Sequence, residues 1–373
     1  MKLSIPRSEL QRGLSRIQAI VEKRNSMPIL ANVLLRASKG DASQLEIAAT
    51  DLEVGIRGFH PADVTKAGSL TVSARKLFEI VRELPEEPVQ LSATANSYLE
   101  IHCGRSRFTL AGTTAEEFPT LPVFSPAAMV RLPAAVISSL IERTMYAASL
   151  DETRYNLNGV YFELMEEGTK IRMVATDGHR LAMVDRNLAA GGSDLASGVI
   201  LPRKGLSELK RLVDEDDADE IELGIEGNSA LARKGEVTLT MRLIEGEFPN
   251  YRQVLPKVIS RKITIASEVL SQALRRVALL SVERSKAVRM ELSPGRLKLS
   301  ANNPDLGEAS EEIDIDYQGE TLTVGFNARY LLDSLSAFKT KEVELGLEDE
   351  LSPVRLSPTE DIETIAVVMP MRL

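Results

Sequence analysis

The sequence has one cysteine, three histidines and no tryptophan in 373 residues, and only 4% of it is aromatic. A lone Cys103 excludes an intrachain disulfide and any multi-cysteine metal site, which agrees with a reducing compartment. With His60, His102 and His179 as the whole histidine complement, a structural zinc site has few ligands to draw on. No run approaches the roughly 18 apolar residues that a membrane span needs. The start, MKLSIPRSEL, lacks the apolar core of a signal peptide. No P-loop is present to cradle a nucleotide phosphate. The expectation is a cytoplasmic protein with no membrane association, no metal and no cofactor. What the chain does have is ordinary globular material, 43% hydrophobic and 27% charged. It is too long for one core, since single cores rarely grow past about 250 residues. Its net charge of -9, taken alone, argues against a nucleic-acid partner.

Three landmarks recur at about one third of the chain length. The first is a strand leading into an amphipathic helix, at LSIPRSELQRGLSRIQAIV from Leu3, VRLPAAVISSLIERTMYAA from Val130 and ITIASEVLSQALRRVALLS from Ile263. Leu10, Leu14 and Ile17, like Leu270, Leu274 and Val277, fall at the i, i+4, i+7 spacing that puts one apolar stripe on a helix face. Ser8 with Gln11 reads as a capping box, and Pro133 suits a first helical turn. The second landmark places Ser73, Pro202 and Asn327 at helix starts, followed by Leu77, Leu206 and Leu331 and by an acid at Glu79, Glu208 and Asp333. The third is a strand ending in a turn, at IAATDLEVG, MVATDGHRL and LSANNPDLG, whose Ala49, Ala175 and Ala301 are 126 residues apart. Three landmarks in one order imply a threefold repeat of α+β domains, with two helices and several antiparallel strands each. The expected bounds are 1–124, 125–256 and 257–373.

Charge is distributed unevenly over these elements. The six predicted helices, over 8–24, 74–84, 133–146, 203–213, 267–284 and 328–339, carry 17 Lys/Arg and 9 Asp/Glu, a net of +8, so the remainder carries -17. One basic helix would be read as a solvated face. Six from three repeats can instead present one common surface that attracts phosphates without reading bases. With few aromatics for stacking on single strands, duplex backbone is the better match.

Over its full length the chain resembles the bacterial DNA polymerase III beta subunit family, the sliding clamps. The matching stretches include SMPILANVLL, GRSRFTL, RYNLNGVYFE, VATDGHRLA, LPRKG, EFPNYRQVLP and the terminal VVMPMRL. The resemblance implies a non-enzymatic, head-to-tail homodimer. Three repeated clamp domains per chain would close a ring around double-stranded DNA, sequence-independently, with helices lining the hole and antiparallel sheets outside. It implies, as partners, the DNA polymerase III alpha subunit, the clamp loader, and other DNA polymerases and repair proteins, captured through short linear peptides. Carried over by position, the peptide cleft comprises Leu157, Thr176, Gly178, His179, Arg180, Leu181, Pro249, Val254, Val367, Met369, Pro370, Met371, Arg372 and Leu373. DNA contacts fall on Arg24, Tyr155, Arg203 and Lys204. Ring closure falls on Phe108 and Leu110 against Leu279 and Leu280 in the partner's helix, with Lys76, Arg105 and Arg107 facing Glu308, Glu311 and Glu312. From pattern alone, Phe108 and Leu110 would be core residues. Gln253 departs from a relative's Arg in the cleft rim, and the acidic VDEDDADE after Val213 reads as a surface loop.

Asp177, His179 and Arg180 also invite a catalytic reading, as a base, its partner and an anion holder. Residues two apart in a turn do not readily form a dyad, and no nucleophile motif accompanies them. The first repeat has Leu52 and Glu53 at the equivalent positions and the third has Pro304, so the scaffold does not need the histidine. A binding rim with flexible Met369 and Met371 beside it is preferred. A multidomain hydrolase and a monomeric, peptide-binding acidic scaffold are the rival readings.

Overall fold

Each repeat opens with a short strand that runs directly into a helix. In the computed structural model, which describes residues 1–21, 27–40, 43–123, 129–188, 195–215 and 219–372, the first repeat holds β1 (Lys2–Ile5), α1 (Arg7–Ile17), β2 (Asn32–Ser38), β3 (Gln44–Thr50), β4 (Val54–Pro61), β5 (Asp63–Lys66), β6 (Gly68–Ser73), α2 (Ala74–Glu83), β7 (Val89–Ala93), β8 (Tyr98–Cys103) and β9 (Ser106–Thr113). The second holds β10 (Val130–Pro133), α3 (Ala134–Glu142), β11 (Gly159–Met165), β12 (Lys170–Thr176), β13 (Arg180–Asn187), β14 (Val199–Pro202), α4 (Arg203–Asp214), β15 (Glu220–Glu226), β16 (Ser229–Lys234) and β17 (Val237–Arg242). The third holds β18 (Arg261–Ala266), α5 (Ser267–Ala278), β19 (Ala287–Ser293), β20 (Arg296–Asn303), β21 (Gly307–Asp314), β22 (Leu322–Asn327), α6 (Ala328–Phe338), β23 (Glu342–Leu347), β24 (Val354–Pro358) and β25 (Thr364–Val368). The α+β class and the two helices per repeat agree with the periodicity. Among the described residues no helix is long and apolar enough to cross a membrane.

The chain divides into two compact units, Met1–Ala134 with Lys204–Leu243, and Ala135–Arg203 with Ile244–Leu373. Strand pairing explains why the middle repeat is shared out. In the first unit one sheet runs β10-β15-β16-β17-β4-β3-β2-β6-β9-β8-β7-β1-β5, so β17 of the second repeat pairs with β4 of the first, Met241 opposite Val54. In the second unit one sheet runs β14-β11-β12-β13-β25-β24-β23-β18, and β25 pairs with β13, Val368 opposite Arg180. A further sheet, β21-β20-β19-β22, belongs to the third repeat alone. All pairings are antiparallel. The helix stripes are buried as their spacing requires: Leu10, Leu14, Ile17, Leu270, Leu274 and Val277 are all at most 1% exposed. Burial of each contributes on the order of 1.5–3 kcal/mol.

The helix ends differ from the pattern in three places. Helix α1 is preceded by Pro6 with no side-chain cap, so Ser8 and Gln11 lie inside the helix and form no capping box. Proline fixes the backbone there without a hydroxyl. Pro133 likewise closes β10 and stands just before α3. Helix α5 stops at Ala278, with Leu279 as its C-cap and Leu280 beyond it. Leu279, Leu280 and Ser281 donate to Arg276, Val277 and Ala278 three residues back, and Ser281 Oγ donates to Ala278 O at 2.7 Å. That tightened turn ends the helix six residues earlier than periodicity alone suggests. Ser73 and Asn327 do cap as expected, accepting from Lys76 N and Arg329 N.

His60 on β4 is 2% exposed. Its Nδ1 lies 3.4 Å from Glu9 Oε2, and its Nε2 has no hydrogen-bond partner among the described residues and faces α1 at Gly13, where a Cβ would come within 2.5 Å. Burial, the largest cause, pulls its pKa below the ordinary histidine value and outweighs the Glu9 carboxylate. The unfolded chain therefore takes up a proton near pH 6.5 that the folded chain refuses until lower pH, so stability is present above that value and is lost as pH falls below it. Melting temperature should drop between about pH 7 and 5.5, and His60→Leu should flatten the drop; the lowered pKa of Glu9 contributes only below about pH 4.3. An unchanged slope in the variant, read by calorimetry, would remove His60 as the cause.

Candidate peptide-binding site

The turn after β12 is built from its own side chains. Thr176 Oγ1 donates to Arg180 O at 2.6 Å and accepts from Gly178 N at 3.1 Å; Asp177 Oδ1 accepts from His179 N at 2.9 Å and Arg180 N at 3.0 Å. The first repeat makes the same turn. Thr50 Oγ1 donates to Val54 O and accepts from Leu52 N, both at 3.0 Å, while Asp51 Oδ1 accepts from Glu53 N at 2.9 Å and Val54 N at 2.6 Å. Both turns need a left-handed residue, Gly178 at φ 88° and Leu52 at φ 79°. Glycine takes that conformation without the roughly 1–2 kcal/mol a side chain costs. In the third repeat Pro304 cannot adopt it, and Asn303 makes a shorter turn, its Oδ1 accepting from Asp305 N at 3.0 Å. Asp177 is thus a turn acceptor, not a general base.

What distinguishes the second turn is Arg180. Its guanidinium reaches Asp177 at 3.1 Å, Asp333 of α6 at 2.5 Å and Tyr146 O at 2.8 Å. It also lies over the Tyr330 ring at 4.7 Å and the Tyr146 ring at 5.5 Å. His179 stacks on Tyr330, centroids 6.3 Å apart and planes 14° apart. The Tyr146 hydroxyl is 3.1 Å from Ser334 Oγ, and burial pushes its pKa up to about 12; burial raises Tyr330 as well. Tyr146 and Tyr330 were not legible as site residues: each sits in a helix-like run without a motif. Asp333 was visible only as the recurring acid of the second landmark.

The apolar side of the site has a graded exposure. Leu157, Thr176, Leu181 and Val367 are buried, Met369, Pro370 and Met371 half-buried, and Gly178, His179, Pro249, Val254 and Arg372 exposed. Met369 N donates to His179 O at 2.9 Å, which ties the last residues to the turn. Met369 also lies past the end of β25, lining with Gln253, Val254, Leu255 and Pro353 a cavity of about 430 Å³. The 247–256 connector beside it is held by aromatic packing. Tyr161 stacks on Phe248 at 5.0 Å, and Tyr251 donates to Glu163 at 2.7 Å while accepting from Arg172, itself paired at 2.7 Å with Asp185. Leu373 and Arg24 lie outside the described residues. Among those described, no group of three or more His, Cys, Asp or Glu is placed to hold a metal ion.

Three family models match the chain: the N-terminal domain of the DNA polymerase III beta subunit over residues 1–122, its central domain over 131–250 and its C-terminal domain over 252–372. The chain belongs to the DNA polymerase III beta subunit family. It is 39% identical to the beta sliding clamp of Proteus mirabilis and 38% identical to that of Caulobacter vibrioides, over 100% of both chains in each case. The crystal structure of the Pseudomonas aeruginosa sliding clamp bound to griselimycin superposes with a TM-score of 0.93 at 38% identity, again covering both chains fully.

In the first repeat the counterpart of the candidate cleft is filled by the chain itself. A cavity of about 160 Å³ is lined there by Thr50, Leu52, Pro119, Leu121, Thr240 and Arg242. Gly55 stands where the second repeat has Leu181, and Leu121 of the connector fills the vacated space, its Cδ2 only 2.5 Å from where a Gly55 Cβ would be. Thr240 and Arg242 stand in the strand positions of Val367 and Met369.

The remaining candidates are placed as follows. Tyr155 is 55% exposed; Lys204 is ion-paired with Asp51. Phe108 is 40% exposed and Leu279 77%, with Leu110 and Leu280 half-buried, so the core reading of Phe108 fails. Arg105 and Arg107 are exposed, Lys76 pairs with Glu79 at 2.7 Å, Glu311 with Arg276 at 2.5 Å and Glu312 with Arg296 at 3.1 Å, and Glu308 is exposed. Two substitutions separate scaffold from rim. Arg180→Ala should cost about 1–3 kcal/mol of stability, because it strands the Tyr146 carbonyl and leaves the Asp333 carboxylate only its longer contact with Arg329. His179→Ala should leave the melting temperature unchanged and weaken peptide binding several-fold, read by calorimetric titration; equal destabilisation by both would contradict this division.

Proposed function

We propose that the chain acts as a DNA sliding clamp, a non-catalytic processivity factor whose homodimeric ring encircles duplex DNA and tethers the replicative polymerase. Membership of the beta subunit family supports this reading; the three matched ranges, 1–122, 131–250 and 252–372, support three domains, which we place at 1–124, 125–256 and 257–373. The observation that carries ring closure is a pairing used twice and left open once. Strand β17 of the second repeat pairs with β4 of the first, and β25 of the third with β13 of the second. The next pair in that series is β9 of the first repeat with β21 of the third. Strand β9 meets β6 only at Gly112 and Thr113, leaving Ser106–Ala111 open on that side, and β21 is the end strand of its sheet. Pairing β9 of one protomer with β21 of its partner continues the series head to tail and removes two edges. It brings Arg105 and Arg107 toward Glu308, Glu311 and Glu312, and Phe108 and Leu110 toward Leu279 and Leu280.

Arg24, Tyr155, Arg203 and Lys204 on this reading touch DNA phosphates without reading sequence, weakly enough to slide. The cleft around His179, Arg180, Met369 and Met371 receives short peptides of the polymerase alpha subunit, the clamp loader, and other polymerases and repair proteins. Its polar rim orients a peptide while the methionines adapt to different apolar anchors. Loaded with a clamp loader and ATP, the protein should stay on nicked circular DNA through gel filtration and be lost once the circle is linearised. Equal loss from both forms would leave the monomeric scaffold as the better reading.

A further inference from the structure

The third repeat's separate sheet carries a second recess, on the face turned away from its core. Along β20, Leu297, Leu299 and Ala301 are buried, so Lys298, Ser300 and Asn302 occupy the opposite face. Register places Arg289 and Ser310 on either side of Ser300, and Glu291 beside Lys298. Small residues at the centre and long charged ones at the margin make a cavity of about 770 Å³, also lined by Arg372. Among the described residues, Arg289, Glu291, Lys298 and Glu308 form no ion pair, whereas the neighbouring Arg296 and Glu312 pair with each other. Three cations therefore face Glu291 and Glu308, and the ring reading assigns Glu308 to the partner protomer. In a chain of net charge -9, this recess is locally basic.

It also lies near the cleft along the chain. Met369 lines the cleft cavity, Met371 N donates to Gly325 O at 2.7 Å at the free side of β22, and Arg372 lines the recess. Three residues span at most about 10 Å, so an extended peptide needs only three or four residues to pass from one to the other. We infer that the recess over Arg289, Lys298 and Arg372 is a docking surface for an acidic segment flanking the anchor of a cleft-bound peptide. The inference rests on the cleft reading above. Anchor residues would set where a partner binds, and the flank would rank partners by charge.

The test is fluorescence anisotropy on the full-length protein with a labelled peptide carrying Leu and Phe anchors, alone or extended at either end by Glu-Asp-Glu or by Lys-Arg-Lys. At low salt one acidic extension should tighten binding about three- to tenfold, as two or three exposed ion pairs would. The gain should fade with added salt. The double variant Arg289→Glu, Lys298→Glu should abolish the gain and leave the anchor-only peptide unaffected. Binding of the anchor alone with no acidic gain, a gain from the basic extension instead, or a gain that survives charge reversal would each overturn the recess. Failure of the anchor-only peptide to bind would overturn the cleft reading, and the recess with it.

Discussion

An antiparallel strand exposes a row of backbone donors and acceptors on each side, and every row must be paired or covered. This requirement shapes the molecule more than any single core contact. Each repeat ends in a strand with a row to spare: β9, β17 and β25. Two of these are satisfied by β4 and β13 of the preceding repeat, and for that reason the two compact units divide within the middle repeat rather than between repeats. The third has no preceding repeat to use. In the proposed ring a second copy complements these rows, because it offers the same two rows in the same geometry.

The same economy governs the Thr-Asp turns. Threonine and aspartate satisfy the backbone of a tight turn, and they do so identically in the first and second repeats, independent of any function. Specialisation then needs few changes. Leu52, held at φ 79°, becomes Gly178; Val54 becomes Arg180; Gly55 becomes Leu181. The last exchange changes what the connector packs against. Where the strand supplies no side chain, Leu121 of the connector sinks in and the place is filled. Where the strand supplies Leu181, Tyr251 of the connector packs in one cluster with it and is held there by Glu163 and Arg172, and a cavity remains beside Met369.

Much of this was legible in the sequence because it is local or repeated. The helix stripes, the Ser73 and Asn327 caps and the equivalence of Ala49, Ala175 and Ala301 follow from spacing alone. Helix ends were less so: Leu279 and Leu280 continue an apolar pattern, and only the turn locked by Ser281 stops α5. The long-range half of the site was not readable. Arg180 meets Asp333 over 153 positions and Tyr330 over a similar separation, and a tyrosine inside a helix looks the same whether it faces a core or an arginine. Phe108 shows the converse, an apolar residue in an alternating strand whose exposure depends on which neighbour its strand lacks.

Two kinds of stiffness meet in the cleft, and the division has a physical consequence. Arg180 is held by two carboxylates, a carbonyl and two rings, so the polar rim is preorganised and costs little ordering when a peptide arrives. Met369 and Met371 sit half-buried past the end of β25, tied by backbone bonds to His179 and Gly325 while their thioethers stay adaptable. On the proposed reading, a rigid rim would fix the direction of a bound chain and soft walls would accept different anchors. If the methionines repack around each anchor, as the proposed cleft implies, charges outside it would add discrimination among peptides that share anchors, since exposed ion pairs are individually weak but differ in sign.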